Sequence, residues 1–204
     1  MPKFIFLICA AMLCFSCNNK TIMTEQERNL ILSGDENTPF RVLTVDNATD
    51  SLFLRTECSD LNYEADSSLI ARLIARMDTT MKAENGVGIA APQIGIPRNI
   101  FLFMRIDKPG NPVEVAINPR IVNKPNETIC FEGDGCLSVP GRSGNSVRYA
   151  WIEVEYLNAK GETVRERLEG YSRDTDFTGI IFQHEFDHLR GILYTDKLYE
   201  TSKD

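Results

Sequence analysis

Histidine is nearly absent from this chain. Of 204 residues only two are His, His184 and His188, so imidazole chemistry has a single address. Basic residues are also scarce: 22 Lys and Arg against 29 Asp and Glu leave a net charge of −7, with no block of Lys or Arg. A protein that follows nucleic-acid phosphates needs a basic face, so the balance argues against a nucleic-acid partner. No apolar run is long enough to cross a bilayer. The longest, Phe4 to Phe15, has twelve residues and would rise roughly 18 Å as a helix against a hydrocarbon core of ~30 Å. Repeats and low-complexity tracts are missing too. What remains, 43% hydrophobic and 25% charged, is an ordinary globular composition.

The short apolar run fits the h-region of a signal peptide, with Lys3 before it and the polar residues 18–20 closing it. Ser16-Cys17 at the junction resembles a bacterial lipoprotein cleavage site, in which Cys17 becomes the lipidated N-terminus. Residues 1–17 are therefore expected to be a signal peptide of lipoprotein type and 18–39 a linker, with the folded domain over 40–204. This predicts an exported, membrane-anchored protein on the periplasmic or outer face, or a cytoplasmic one if the leader is not processed. The competing reading is a buried apolar segment in a cytosolic protein. Three of six Cys lie in the leader, leaving Cys58, Cys130 and Cys136. An odd remainder is not a disulfide framework, although Cys130 and Cys136 could pair.

Beyond the leader, Thr21 to Pro39 is mostly polar and reads as a loosely ordered arm. Phe40 to Thr44 is a candidate short strand. Leu69, Ile70, Leu73, Ile74, Met77 and Met81 form one stripe at helical spacing, with Arg72, Arg76 and Asp78 off it and Asp66 or Ser67 as N-cap. Asn99–Arg105, Val113–Ile117, Ala150–Leu157 and Glu162–Leu168 read as strands. Ile152, Val154 and Tyr156 alternate with Trp151, Glu153 and Glu155, as in a half-buried antiparallel strand. A last helix is expected from Thr178 to Arg190, stopped by Gly191. The expectation is one mixed α+β domain.

That last helix carries His184-Glu185-Phe186-Asp187-His188. Residues four apart share a helical face, so both imidazoles can face one ion while Glu185 reaches a water on it. Two His placed at random fall four apart about one time in a hundred, and a Glu after the first cuts that about tenfold. A solvated His-Glu face is thus the weaker reading. Zinc-protease layouts do not fit: the position where one class places its third His, beyond Gly191, is Tyr194, and after His188 the lone Glu is Glu200. Upstream, Cys136 in Gly133-Asp134-Gly135-Cys136-Leu137-Ser138 is the best third ligand, leaving a fourth position for water. Gly86-Val87-Gly88-Ile89-Ala90-Ala91-Pro92-Gln93 is not a phosphate loop, since no Gly-Lys-Ser/Thr follows. Gly88 and Ala90 suit a strand that lets a substrate backbone lie close, or simply a tightly packed turn. Gln93 offers an amide donor for an oxyanion.

Together the three segments resemble the peptide deformylase family, marked by GxGxAAxQ, EGCLS and HExxH motifs in this order. Here they stand at Gly86–Gln93, Asp134–Ser138 and His184–His188, and the likeness spans roughly Phe40 to Leu198. The resemblance implies an α+β fold with antiparallel or mixed sheets packed around a central HExxH helix. It implies a hydrolase that removes the N-formyl group from N-formylmethionyl peptides and releases formate, with Glu185 as general base for attack by a metal-activated water. By the same resemblance Cys136, His184 and His188 hold one divalent ion, Fe(II) first, with Zn(II), Ni(II) or Co(II) as substitutes. Gln93 and the Leu137 backbone N–H stabilise the oxyanion, while Val87, Gly135, Ile180 and Ile181 line the methionine pocket. A monomer acting on peptide is expected. Two features depart from the pattern: Asp134 stands where the family has Glu, and Tyr171 to Gly179 is longer than the usual approach to HExxH. The shorter carboxylate keeps a second reading open, a metal-binding protein that captures N-blocked peptides with little turnover. A zinc endoprotease is a distant third.

Overall fold

The computed structural model describes residues 21–199; the leader and Cys17 lie outside them. The elements in order are helices α1 (Glu25–Leu32), α2 (Ala48–Phe53) and α3 (Tyr63–Ala83), then strands β1 (Gly88–Ala90), β2 (Ile100–Met104), β3 (Val113–Asn123), β4 (Ile129–Gly135), β5 (Ser143–Arg148), β6 (Trp151–Leu157) and β7 (Thr163–Glu169), and finally helix α4 (Thr178–His188). One antiparallel sheet has the order β1-β2-β3-β6-β7, and β4 pairs with β5 in a separate two-stranded ribbon. The fold is α+β. Among the described residues no helix is long and apolar enough to cross a membrane.

The sheet is covered on both faces, and β2 shows why. Its run Ile100-Phe101-Leu102-Phe103 has no polar member and is fully buried. Side chains alternate along a strand. Ile100 and Leu102 join α3 through Leu69, Ile70, Leu73, Met77 and Met81, whereas Phe101 and Phe103 join α4 through Ile181 and Phe182. The Phe182 ring meets Phe101 edge-on at 4.8 Å and Phe103 at 5.2 Å, which fixes the rotation of α4 about its axis. Strand β6 alternates as expected, with Ile152, Val154 and Tyr156 buried and the residues between them half-exposed.

Several elements differ from the sequence reading. The segment 21–39 is not a loose arm: Thr24 and Glu27 form a capping box for α1, and Met23 and Ile31 enter the core. Glu27 also holds Arg98 at 2.5 and 2.7 Å. Phe40–Thr44 is not a strand, although Leu43 N–H donates to the Gln93 carbonyl. Helix α3 starts earlier than expected, capped by Asn62, and Asp66 interrupts its helical geometry because its carboxylate accepts from the Met23 N–H at 2.9 Å. Arg76, off the apolar stripe, is nonetheless buried, donating to the carbonyls of Leu30, Ile31 and Thr38. Strand β3 runs six residues past the predicted end at Ile117. Helix α4 stops at His188, two residues short of Arg190.

Candidate metal centre and peptide cleft

Helix α4 presents His184 and His188 one turn apart, ring centroids 5.0 Å from each other. Both are buried. Cys136 comes from the residue after β4, and its Sγ lies 3.2 Å from His188 Nε2. One ligand atom from each of Cys136, His184 and His188 falls within 4.8 Å of the other two. Cys136 is a free thiol, as are Cys58 and Cys130, so the competing pairing with Cys130 is not made.

A buried carboxylate orients the first imidazole. Asp134 Oδ1 is 2.9 Å from His184 Nδ1, while its Oδ2 accepts from Ser146 Oγ at 2.6 Å and Arg148 Nη2 at 2.7 Å. Arg148, 1% exposed, also donates to Asp187 Oδ2 at 2.6 Å, and Asp187 Oδ1 accepts from Lys197 at 2.6 Å. The shorter side chain at 134 therefore still reaches its histidine. Just before it, β4 slips register between Phe131 and Asp134, and Gly133 takes φ +68°, a left-handed conformation that costs glycine little. Burial alone would raise the Asp134 pKa, but the His184 hydrogen bond and the His184 and Arg148 charges outweigh it and hold the carboxyl well below its usual range.

This donor set fits a divalent ion. Thiolate and imidazole suit Fe(II), Co(II), Ni(II) and Zn(II), and a Nδ1–H held by a carboxylate is the usual bracing of a ligating His. Burial lowers the His188 pKa far below normal and keeps that ring neutral. For His184 burial also acts downward, yet the bonds to Asp134 and Cys136 win and raise it. Anionic partners thus gather around a point that calls for positive charge. Among the described residues three buried side-chain atoms have no protein partner, Arg72 Nε on α3 and, at this centre, Glu185 Oε2 and His188 Nδ1.

The centre forms the floor of a cavity of about 290 Å³. Of the residues singled out from sequence, Val87, Gly88, Gln93, Gly135, Cys136, Leu137, Ile180, Ile181, His184 and Glu185 all line it; His188 is grouped with Cys136 and His184 but is not part of the lining. Glu185 packs against β1 so closely that a Cβ on Gly88 would stand 2.4 Å from its Oε1, so any larger residue there would displace the carboxylate. Burial pushes Glu185 up to about 7. Gln93 is locked by the Ala90 N–H, which donates to its Oε1 at 2.8 Å. Its Nε2 is thereby turned toward Ser138 Oγ at 3.2 Å and Cys136 Sγ at 3.5 Å.

A family model described as polypeptide deformylase matches residues 40–204. The chain belongs to the polypeptide deformylase family. The peptide deformylase of Chloroflexus aurantiacus is 39% identical over 176 residues, covering 79% of this chain and 88% of that one. The crystal structure of the Thermotoga maritima deformylase superposes with a TM-score of 0.67 at 34% identity, covering 80% of this chain and 99% of that one. A Met-Ala-Ser-bound class I type b deformylase from Acinetobacter baumannii gives 0.68 at 30% identity, covering 79% and 99%. With the family comes the enzyme class: this chain is a deformylase.

Sequence reasoning missed several residues of this deformylase's site. Arg148 gave no signal, because a buried Arg in a polar strand looks like an exposed one. Phe131 and Phe177, stacked at 6.1 Å, and Arg173 complete the cavity wall; they lie just outside the motifs, where no residue type is demanded. Tyr194, which in the sequence marks only the place where a zinc protease carries a third His, is stacked on His184 at 6.3 Å.

Proposed function

We propose that this deformylase removes the formyl group from N-formylmethionyl peptides, using one divalent ion held by Cys136, His184 and His188, with iron(II) as the native ion and Zn(II), Ni(II) or Co(II) as substitutes. The observation that carries the reading is the thiol and two imidazoles converging beneath the unpartnered Oε2 of Glu185 at the floor of the cavity. When bound, such an ion acts as a Lewis acid and lowers the pKa of a water.

The chain supplies the rest. Glu185, with its pKa raised to about 7 by burial, is poised to take a proton from the attacking water and return it to the leaving amine, since a base works best near the ambient pH. The Gln93 amide, fixed by Ala90, and the Leu137 N–H stand to donate to the oxyanion that develops on the formyl oxygen; losing one such donor typically costs about 10²–10³ in rate. Backbone of residues 86–88 on one wall and 135–137 on the other can pair with an extended peptide, and Val87, Ile180 and Ile181 offer an apolar seat for the methionine side chain. The alternative of peptide capture with little turnover drew on the short carboxylate at 134. Its contacts with His184 and Arg148 favour turnover instead.

Formate release from formyl-Met-Ala-Ser by protein purified without oxygen tests the proposal. Wild type should turn over, and Glu185→Gln should keep its metal while losing activity by 10²-fold or more, of the order expected for a general base. Equal activity in the variant would contradict the assigned base. We also propose that residues 1–17 export the chain and that Cys17 tethers it to a membrane through lipid, on the strength of the Lys3-to-Cys17 pattern. Mass spectrometry of the mature N-terminus should find lipidated Cys17; an unprocessed Met1 in the soluble cytosolic fraction would refute this.

A further inference from the structure

One wall of the cavity carries a cation that the mechanism does not use. Arg173, in the loop between β7 and α4, is the one Lys or Arg among the cavity-lining residues. The loop is a compact turn: Tyr171 N–H donates to the Asp176 carbonyl, Thr175 N–H to the Ser172 carbonyl, and Asp176 Oδ1 accepts from Thr178 N–H. From it Arg173 reaches across to β4, where Nε and Nη2 both donate to the Gly133 carbonyl, at 3.0 and 2.7 Å. Its guanidinium carbon lies 5.6 Å from the Phe131 ring centroid and 5.7 Å from that of Phe177. Four contacts therefore fix an exposed side chain that would otherwise be mobile.

That fixing leaves a charge unspent. A carbonyl oxygen takes two of the five N–H groups and none of the positive charge. Among the described residues no carboxylate lies within ion-pair distance of Arg173, even though Asp174 and Asp176 flank it, and Nη1 has no partner. The other charged groups of the wall are accounted for: Asp134 is matched by Arg148 and Glu185 faces the centre. The Gly133 carbonyl that holds the guanidinium lies two residues before Gly135, which lines the cavity and lies on the peptide path proposed above. A planar, pre-oriented guanidinium with free donors is suited to a carboxylate.

We infer that Arg173 determines specificity by favouring peptides that carry a carboxylate beyond the formylated methionine, either the terminal carboxylate of a short peptide or an acidic side chain. This rests on the deformylase reading of the cavity. The two sources are separated by formyl-Met-Ala-Ser as free acid, the same peptide as C-terminal amide, and formyl-Met-Ala-Asp and formyl-Met-Asp-Ser as amides.

The test is kcat/KM for the four peptides with metal-loaded wild type, Arg173→Gln and Arg173→Lys, at low and high salt. One or more of the anionic peptides should exceed the neutral amide about three- to fivefold, as expected for an exposed charge pair. The ratio should fall to about one in Arg173→Gln, persist in part in Arg173→Lys, and shrink with salt. Equal use of neutral and anionic peptides by wild type, or a ratio that Arg173→Gln leaves intact, would overturn the inference. If no peptide yields formate, the deformylase reading has failed. The inference is then judged by calorimetric affinities of the N-acetyl analogues as acid and amide, on which the same ratio and the same loss in Arg173→Gln are required.

Discussion

At the scale of single residues, the site depends on a carboxylate reaching an imidazole. Asp134 links His184 to Arg148, and Arg148 is in turn shared with Asp187. Replacing Asp134 by Asn keeps the volume but removes the charge that matches a buried guanidinium and braces the ring. Metal affinity, measured by competition with a chelator, should fall about 10- to 100-fold. Unchanged affinity would show that the ring is held by packing alone. The candidate ligands themselves are legible in the sequence because their chemistry demands a pattern: two His one turn apart, and a thiol directly after a glycine. Arg148 and Arg173 were not. Their roles come from where the backbone delivers them, and neither lies in a motif whose residue types constrain it.

At the scale of elements, the least legible piece became part of the core. Helix α1 is polar enough to pass for a linker, and it is held by Met23 and Ile31 in the core, by Arg76 on the Leu30 and Ile31 carbonyls, and by Glu27 on Arg98. Burial acts to raise the Glu27 pKa, but the Arg98 hydrogen bonds and those from Thr24 prevail and lower it from 4.5. A carboxylate lowered on folding contributes stability above its unfolded pKa and loses it as pH falls through the folded one. Thermal melts should therefore show wild type losing stability below about pH 4.5, as the unfolded chain takes up the proton first. Glu27→Gln should be less stable at neutral pH by about 3 kcal/mol, since Arg98 keeps its buried charge, and should show a shallower decline in acid. Parallel curves for the two proteins would mean that the pair does not anchor α1. Strands β4 and β5 escaped the sequence reading for a related reason. Glu132-Gly133-Asp134-Gly135 and Ser143-Gly144-Asn145-Ser146 have no apolar alternation, and β4 and β5 pair with each other across a register slip outside the larger sheet. The strands that are legible, β2, β3, β6 and β7, all belong to the larger sheet that the core packs against.

At the scale of the whole molecule, a doubly covered sheet exists to hold one helix. Phe101, Phe103 and Phe182 lock α4 against the sheet, β1 and α4 approach closely enough for Glu185 to sit on Gly88, and the separate β4–β5 ribbon carries Cys136 and Asp134 to the same point. Three parts of the chain that are distant in sequence, at residues 88, 134–136 and 184–188, thus meet at one place. X-ray absorption at the metal edge of the loaded protein tests that convergence most directly. One sulfur at about 2.3 Å and two imidazole nitrogens at about 2.0–2.1 Å are predicted, with the sulfur lost in Cys136→Ala. A shell of nitrogen and oxygen only, or a sulfur that survives the substitution, would contradict the account.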